Sequence, residues 1–323
     1  MPPHKSARPA NTLMGLDHSS HQRILRVSHP SSSVNSRHVL RASPLVSSVL
    51  VLWGNPSTPT QTLSQLAHNL SFSSLGSASI SLHRQPSDSL NTRFLPRSSI
   101  GTHVVLICDD DMEMDPKSFE FAFRVWQSNS ERMIGVFVRS HDIDLIRKEW
   151  IYNVHPDKYS MILTKFLILK SSYLFKYNCG GAKEMSEMRN IVDEMRNCED
   201  ILMNFVVADV TNAGPIMVGA ERVRDWGDAG NDGDGDKDRR RKLRSRGNGT
   251  QKRRGRCIRE FHRVLGRMPL NYSYGKAVNS VGEQGLCKKG GKLVFCDQVK
   301  HRDGNGSDIL GLQSYKHPSQ NIW

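Results

Sequence analysis

An unbroken apolar run, Val104-Val105-Leu106-Ile107-Cys108, ends in three consecutive carboxylates, Asp109, Asp110 and Asp111. The run is short and β-branched, so it reads as a buried strand of a parallel sheet. Open α/β sheets bind ligands beyond the carboxyl ends of their strands, which puts the acids on the ligand side. Three adjacent anions repel one another. A divalent ion that prefers oxygen ligands, Mn²⁺ or Mg²⁺, is the simplest compensation, and such an ion can also neutralise a diphosphate. Taken alone, the triplet reads more readily as a solvated acidic turn. Its context favours a built site. Asp115 suits a helix N-cap and Pro116 the first helical position, and Phe119, Phe123 and Trp126 then recur at helical spacing.

A net charge of +13 suggests nucleic acid, but the charge is unevenly placed. Arg239 to Arg256 contributes +10 with no acid, and residues 1–42 contribute +5; subtracting both leaves −2 for the rest. The basic character belongs to a tail and an insertion, which argues against a built nucleic-acid groove. The six cysteines show no zinc-ligand spacing. No apolar run reaches the ~18–20 residues of a membrane span, and no signal peptide is recognisable in residues 1–40.

Residues 1–42, rich in Ser, His, Arg and Pro, read as a disordered basic tail. Strands are expected at Val46–Trp53, Ala78–Leu82, Ile134–Arg139, Trp150–Tyr152 and Met161–Leu169, with Lys165 interrupting the last. Helices are expected at Thr62–Leu70, 182–196, Ile201–Ala208 and Ile258–Leu265. Met185, Met188, Ile191, Val192 and Met195 form a helical stripe, which is core material by default. Residues 229–253 form a charged, Gly-rich block expected to be a disordered insertion; residues 299–323 read as a tail. His141 stands at a strand end, as a ligand or as a hydrogen-bonded loop residue. Glu199 and Asp200 at a helix start are favoured by the helix dipole, so they serve either as a cap or as a catalytic pair.

The run VVLICDDDMEMDPKSFEFAFRVWQ, followed by Ile134-Gly135-Val136-Phe137-Val138-Arg139-Ser140-His141, resembles the exostosin-type glycosyltransferases of family 64. Asn197-Cys198-Glu199-Asp200-Ile201-Leu202-Met203-Asn204-Phe205 resembles their second signature, and Met268-Pro269-Leu270-Asn271-Tyr272-Ser273 a terminal segment. The likeness spans roughly 43–228 and 254–298, is strongest to short plant members, and begins about one βα unit late. It implies an α/β fold of the GT-A, nucleotide-diphospho-sugar transferase type: a mixed, mostly parallel sheet with flanking helices, occupying residues 43–298. It implies a retaining, metal-dependent transfer of mannose or N-acetylhexosamine from GDP-mannose or UDP-N-acetylglucosamine. The acceptor would be a glycan or glycolipid, with glycosyl inositol phosphorylceramide favoured. The location would be the Golgi lumen, in association with membrane.

Carried onto this chain, the resemblance makes Asp111 the ligand of Mn²⁺ (or Mg²⁺). Asp109 and Asp110 face the donor, and Asn91, Arg93 and Arg139 also bind substrate. Arg254 holds the leaving diphosphate, within a residue or two of register, and Asp200 serves the reacting sugar or the acceptor hydroxyl. Cys198 and Cys257 fall where the family pairs two cysteines, which requires an oxidising compartment. Two rivals remain: an inactive relative that keeps the fold, and, more remotely, a nucleic-acid binder acting through Arg239 to Arg256.

Overall fold

The computed structural model describes residues 22–27, 43–72, 78–109, 112–180, 183–225, 237–279, 286–289 and 292–295. The strands in chain order are β1 (Gln22–Val27), β2 (Ser48–Trp53), β3 (Ser79–Arg84), β4 (Val104–Asp109), β5 (Met112–Met114), β6 (Ile134–Gly135), β7 (Val138–Asp144) and β8 (Glu149–Asn153), then β9 (Lys158–Tyr159), β10 (Met161–Ile162), β11 (Phe166–Lys170), β12 (Ile216–Met217), β13 (Val223–Asp225) and β14 (Ser273–Tyr274). The helices are α1 (Thr60–Phe72), a 3₁₀ turn (Leu90–Phe94), α2 (Pro116–Gln127), α3 (Ser172–Cys179), α4 (Lys183–Met195), α5 (Glu199–Thr211) and α6 (Lys237–Leu265). This compact unit ends at Asn279. A second unit begins at Ser280, and its described part is an antiparallel hairpin, β15 (Leu286–Lys289) with β16 (Lys292–Phe295).

The main sheet has seven strands in the order β12-β6-β11-β4-β1-β2-β3. Only β11 runs against the others. It is a mixed, mostly parallel α/β sheet, as expected. Strand alternation sorts its side chains onto two faces. Val49, Val51, Val104, Leu106, Phe166 and Ile168 pack with Phe119, Phe123 and Trp126 of α2. Leu50, Leu52, Val105, Ile107, Leu167 and Leu169 pack with α3, α4, α5 and the end of α6, including the Met188, Ile191 and Val192 stripe. With helices on both faces, the central strands are buried throughout, which is why β4 reads as a continuous apolar run.

Asp115 caps α2 as expected. Its Oδ1 accepts the Ser118 N–H at 2.9 Å, and its Oδ2 accepts that of Arg222 at 3.1 Å. Those bonds hold its carboxyl below the usual range even though burial pushes the other way.

Two expectations are corrected. The tail 1–42 contains β1, which lies inside the sheet between β2 and β4 and parallel to both. A first strand is therefore present; residues 28–42, which join it to β2, lie outside the described residues. Its sequence, QRILRV, sets Arg23 and Arg26 among three aliphatic residues, so it lacks the continuous apolar run that identifies β4. The block 229–253 is likewise not wholly irregular. Helix α6 begins at Lys237, in keeping with the good helix propensity of Arg and Lys; residues 229–236 lie outside the described residues.

A second small sheet, β10-β7-β8, stands beside the main one, with the pairs β5–β13 and β9–β14 bridging its surroundings. Where β6 pairs with β11, there is room for no side chain at Gly135: an added Cβ would meet the Phe166 carbonyl oxygen at 2.5 Å and also the Ile162 side chain. Gly135→Ala is expected to destabilise the protein by about 1–3 kcal/mol, the usual cost of overpacking a well-filled core. Chemical denaturation checks this.

Candidate functional site

The site is built where four elements converge at the carboxyl end of β4. Asp109 ends that strand, Arg93 comes from the 3₁₀ turn after β3, Glu199 and Asp200 open α5, and Arg254 lies on α6. Arg93 Nη2 meets Asp109 Oδ1 at 2.9 Å, and its Nη1 meets Glu199 Oε1 at 3.5 Å. Arg254 pairs through Nη2 with Asp200 Oδ2 and donates from Nη1 to Asn197 Oδ1 at 2.9 Å. Its guanidinium carbon stands 4.7 Å from the centre of the Tyr152 ring. All but Asp109 are nearly or wholly buried.

Burial sets the electrostatics. It works against both guanidiniums, yet Asp109, Glu199 and Asp200 raise Arg93 above its ordinary value, and Asp200 does the same for Arg254. Glu199 is also raised, first by burial and then by Asp200 beside it, against the pull of Arg93 and Arg254.

The local fold explains how Arg93 is seated. Ser89 caps the 3₁₀ turn by accepting the Asn91 N–H. The Asn91 amide donates to Arg189 O at 3.0 Å and Asp193 Oδ1 at 2.9 Å, and accepts from Tyr177 Oη at 2.5 Å. Asn178 of α3 holds Phe94 O at 2.6 Å. The polar atoms of Asn91 are therefore engaged within the fold. These bonds fix the turn that carries Arg93. Arg139 donates to Val138 O at 2.7 Å and lies near enough to Tyr152 to influence its phenol.

Asp200 does not cap its helix by the expected bond. Cys198 occupies the cap position with φ 80°, and Asp200 Oδ1 accepts only the adjacent Ile201 N–H, at 2.9 Å. The other carboxylate oxygen is turned to Arg254. Cys198 is bonded to Cys257, as the resemblance implies, with Cα atoms 6.4 Å apart. That bond ties the start of α5 to α6 three residues beyond Arg254. Asp110 and Asp111 lie outside the described residues. Among the described residues no group of three His, Cys, Asp or Glu could hold a metal ion.

Two participants escaped the sequence reading. Glu199 appeared there only as half of an acidic pair, and Tyr152 only as part of a strand; neither carries a local signal for its role. A small recess of about 10 Å³, room for a single water, adjoins Arg93, lined also by Leu52, Gly54, Gln85, Ser87 and Thr92.

His141 is a core histidine. It is 3% exposed, its Nδ1 lies 2.8 Å from Ser160 Oγ, and its ring stacks on Tyr272 at 4.6 Å. Its neighbour Asp142 is held down to about 2 by bonds from His155, Lys158 and Asn153, which outweigh burial.

Paired buried guanidiniums and carboxylates thus stand beyond the ends of parallel strands, where open α/β sheets bind ligands. Comparison with known proteins names the class. Residues 26–282 match the glycosyl transferase family 64 domain. The chain belongs to that family, and it is a glycosyltransferase. It is 68% identical over 257 residues to glycosyltransferase family protein 64 C3 of Arabidopsis thaliana, covering 80% of this chain and 78% of that protein. It is 29% identical over 244 residues to glycosylinositol phosphorylceramide mannosyl transferase 1 of the same plant, covering 72% and 68%. Over 130 residues it is 40% identical to exostosin-1 of Papio anubis, covering 40% of this chain but 17% of that protein.

Burial and Lys158 lower His141 to about 4, with Asp142 opposing them. The folded value lies below the unfolded one, so between pH 6.5 and 4 the unfolded chain binds more protons and stability rises with pH. Melting temperature is expected to fall as the pH drops through that window, by an amount equivalent to about 3 kcal/mol once the window is crossed. His141→Asn should flatten that part of the profile, measured by scanning calorimetry in buffers across it.

Proposed function

We propose that the chain is a metal-dependent, retaining glycosyltransferase. It moves mannose or an N-acetylhexosamine from a nucleotide-sugar donor, GDP-mannose or UDP-N-acetylglucosamine, to a glycan or glycolipid, with glycosyl inositol phosphorylceramide the favoured acceptor. The observation that carries this reading is the Asp200–Arg254 pair, locked by the Cys198–Cys257 bond and backed by Tyr152. The similarity to a glycosylinositol phosphorylceramide mannosyl transferase supports the acceptor class. The family membership supports a location in the Golgi lumen, at its membrane. Among the described residues no helix is long and apolar enough to cross a membrane.

On this reading the nucleoside lies at the ends of β2 and β3 beside Arg93, which holds Asp109 where the ribose would pass. Arg254 turns from Asp200 toward the diphosphate and receives the charge that accumulates as the glycosidic bond breaks. Asp200 then faces the oxocarbenium-like sugar or orients the acceptor hydroxyl. Tyr152 keeps the guanidinium in place and water away from its back. Consecutive carboxylates suit Mn²⁺ or Mg²⁺, and Asp109, partly buried and set against a guanidinium, would face the ribose or the ion's water. We assign the ion to Asp111, with Asp110 beside it facing the donor. When bound, the ion would neutralise charge on the departing diphosphate.

Asp200→Asn removes charge at constant size. Donor affinity is expected to stay within a few-fold while kcat falls on the order of 10²–10³, the range for a single electrostatic group acting in the transition state. Equal losses of affinity and turnover, or none, would refute the assignment. Donor binding measured by calorimetry should require Mn²⁺ and be lost in Asp111→Ala; equal binding in the presence of a chelator would refute the metal assignment.

A further inference from the structure

The hairpin of β7 and β8 carries a feature the reaction does not use. Its four-residue tip, Leu145-Ile146-Arg147-Lys148, exposes Leu145 to 78% and Ile146 to 95%, with Ile143 at 46% beside them. Lys148 and Arg147 are exposed next to them, Arg147 with its Nε 4.0 Å from Asp144 Oδ2 in a loose surface pair that an anionic headgroup would compete for. The bordering acids are engaged: Asp144 Oδ1 accepts the backbone N–H groups of Ile146 and Arg147 at 3.0 and 3.1 Å, and Glu149 pairs with Arg259 at 3.4 Å.

We propose that this tip docks the protein on an anionic lipid surface. Three aliphatic side chains with two cations alongside match the layering of such a surface, where acyl chains lie beneath anionic headgroups. The shape argues for lipid over protein. A stable protein interface needs roughly 800 Å² on each side, and a convex tip of four residues does not supply it. With the N–H groups of Ile146 and Arg147 already bonded, the loop enters a less polar layer at reduced cost.

The position of the tip gives it a purpose that rests on the reading proposed above. Tyr152, which lies under Arg254, stands three residues from Glu149 on the same strand, about 10 Å at ~3.3 Å per residue. A docked hairpin therefore holds the Asp200–Arg254 pair within headgroup reach of the lipid surface, where the sugar of a membrane-borne acceptor is found.

The test is vesicle co-sedimentation of the full chain with phosphatidylcholine, alone and with added phosphatidylserine. The intact protein is expected to partition onto the mixed vesicles. Leu145→Ser/Ile146→Ser should lower that partition about tenfold or more, since two aliphatic side chains no longer bury. Arg147→Gln/Lys148→Gln should weaken binding to mixed vesicles by roughly fivefold per charge and leave binding to neutral ones unchanged. Both pairs are exposed, so unchanged melting temperatures check that the fold is retained. Full binding by the Ser variant, abolished by salt, would assign attachment to the basic stretch of α6 and overturn the proposal. Sedimentation with neither vesicle would overturn it in favour of a protein partner. Transfer to a soluble sugar acceptor, read in parallel, should not change in either variant. Absence of transfer by the intact chain would count against the enzymatic reading while the partition result still decides the docking.

Discussion

Buried charge governs the geometry of this molecule. Arg93, Glu199, Asp200 and Arg254 are almost wholly enclosed, and they come from three elements that the main chain places independently. Breaking a buried ion pair by removing one partner typically costs about 3–5 kcal/mol, far above the ~0–1 kcal/mol of a surface pair such as Arg124–Glu120. The 3₁₀ turn, α5 and α6 must therefore meet in one arrangement or leave a charge uncompensated. Other polar groups brace that arrangement. Asn91 anchors the turn to α3 and α4, and Asn204 bonds both backbone groups of Ile162 at 2.9 and 2.8 Å, fixing β10 to α5. The approach to α5 is strained as well, with Arg196 at φ 46° and Cys198 at φ 80°. Left-handed non-glycine residues cost on the order of 1–2 kcal/mol each, and the Cys198–Cys257 bond holds the second of them in place.

The parts of this design that were legible in the sequence are those with a local signal. The β4 run, the acids at its end, the Asp115 cap and the methionine stripe each state their roles within a dozen residues. The inner strand β1 does not, because two arginines interrupt its apolar residues. The helical start of α6 is masked by a composition that also suits a disordered loop. Pairings distant in sequence, Arg93 with Glu199 above all, are products of topology and leave no trace in spacing. Elementary residue chemistry could not choose between a cap and a catalytic role for Asp200. The geometry divides the carboxylate, one oxygen on the Ile201 N–H of its own helix and the other on Arg254. The disulfide came from family resemblance; six cysteines alone left every pairing open.

The same charges constrain how a donor can enter. Asp109, Glu199 and Asp200 against Arg93 and Arg254 leave one negative charge, and the adjoining Asp110 and Asp111 bring the sum to three. A free nucleoside diphosphate would be repelled by such a region. Raising the pKa of Glu199, which burial and Asp200 do, moves one of those charges toward neutrality without removing a hydrogen-bonding group. On the proposed reading a divalent ion offsets two more, so the donor enters as its metal complex. Arg254 then exchanges one anion, Asp200, for another, the diphosphate. If Asp200 is the catalytic charge proposed, that exchange would free its carboxylate only once a donor is seated, coupling its release to arrival of the substrate.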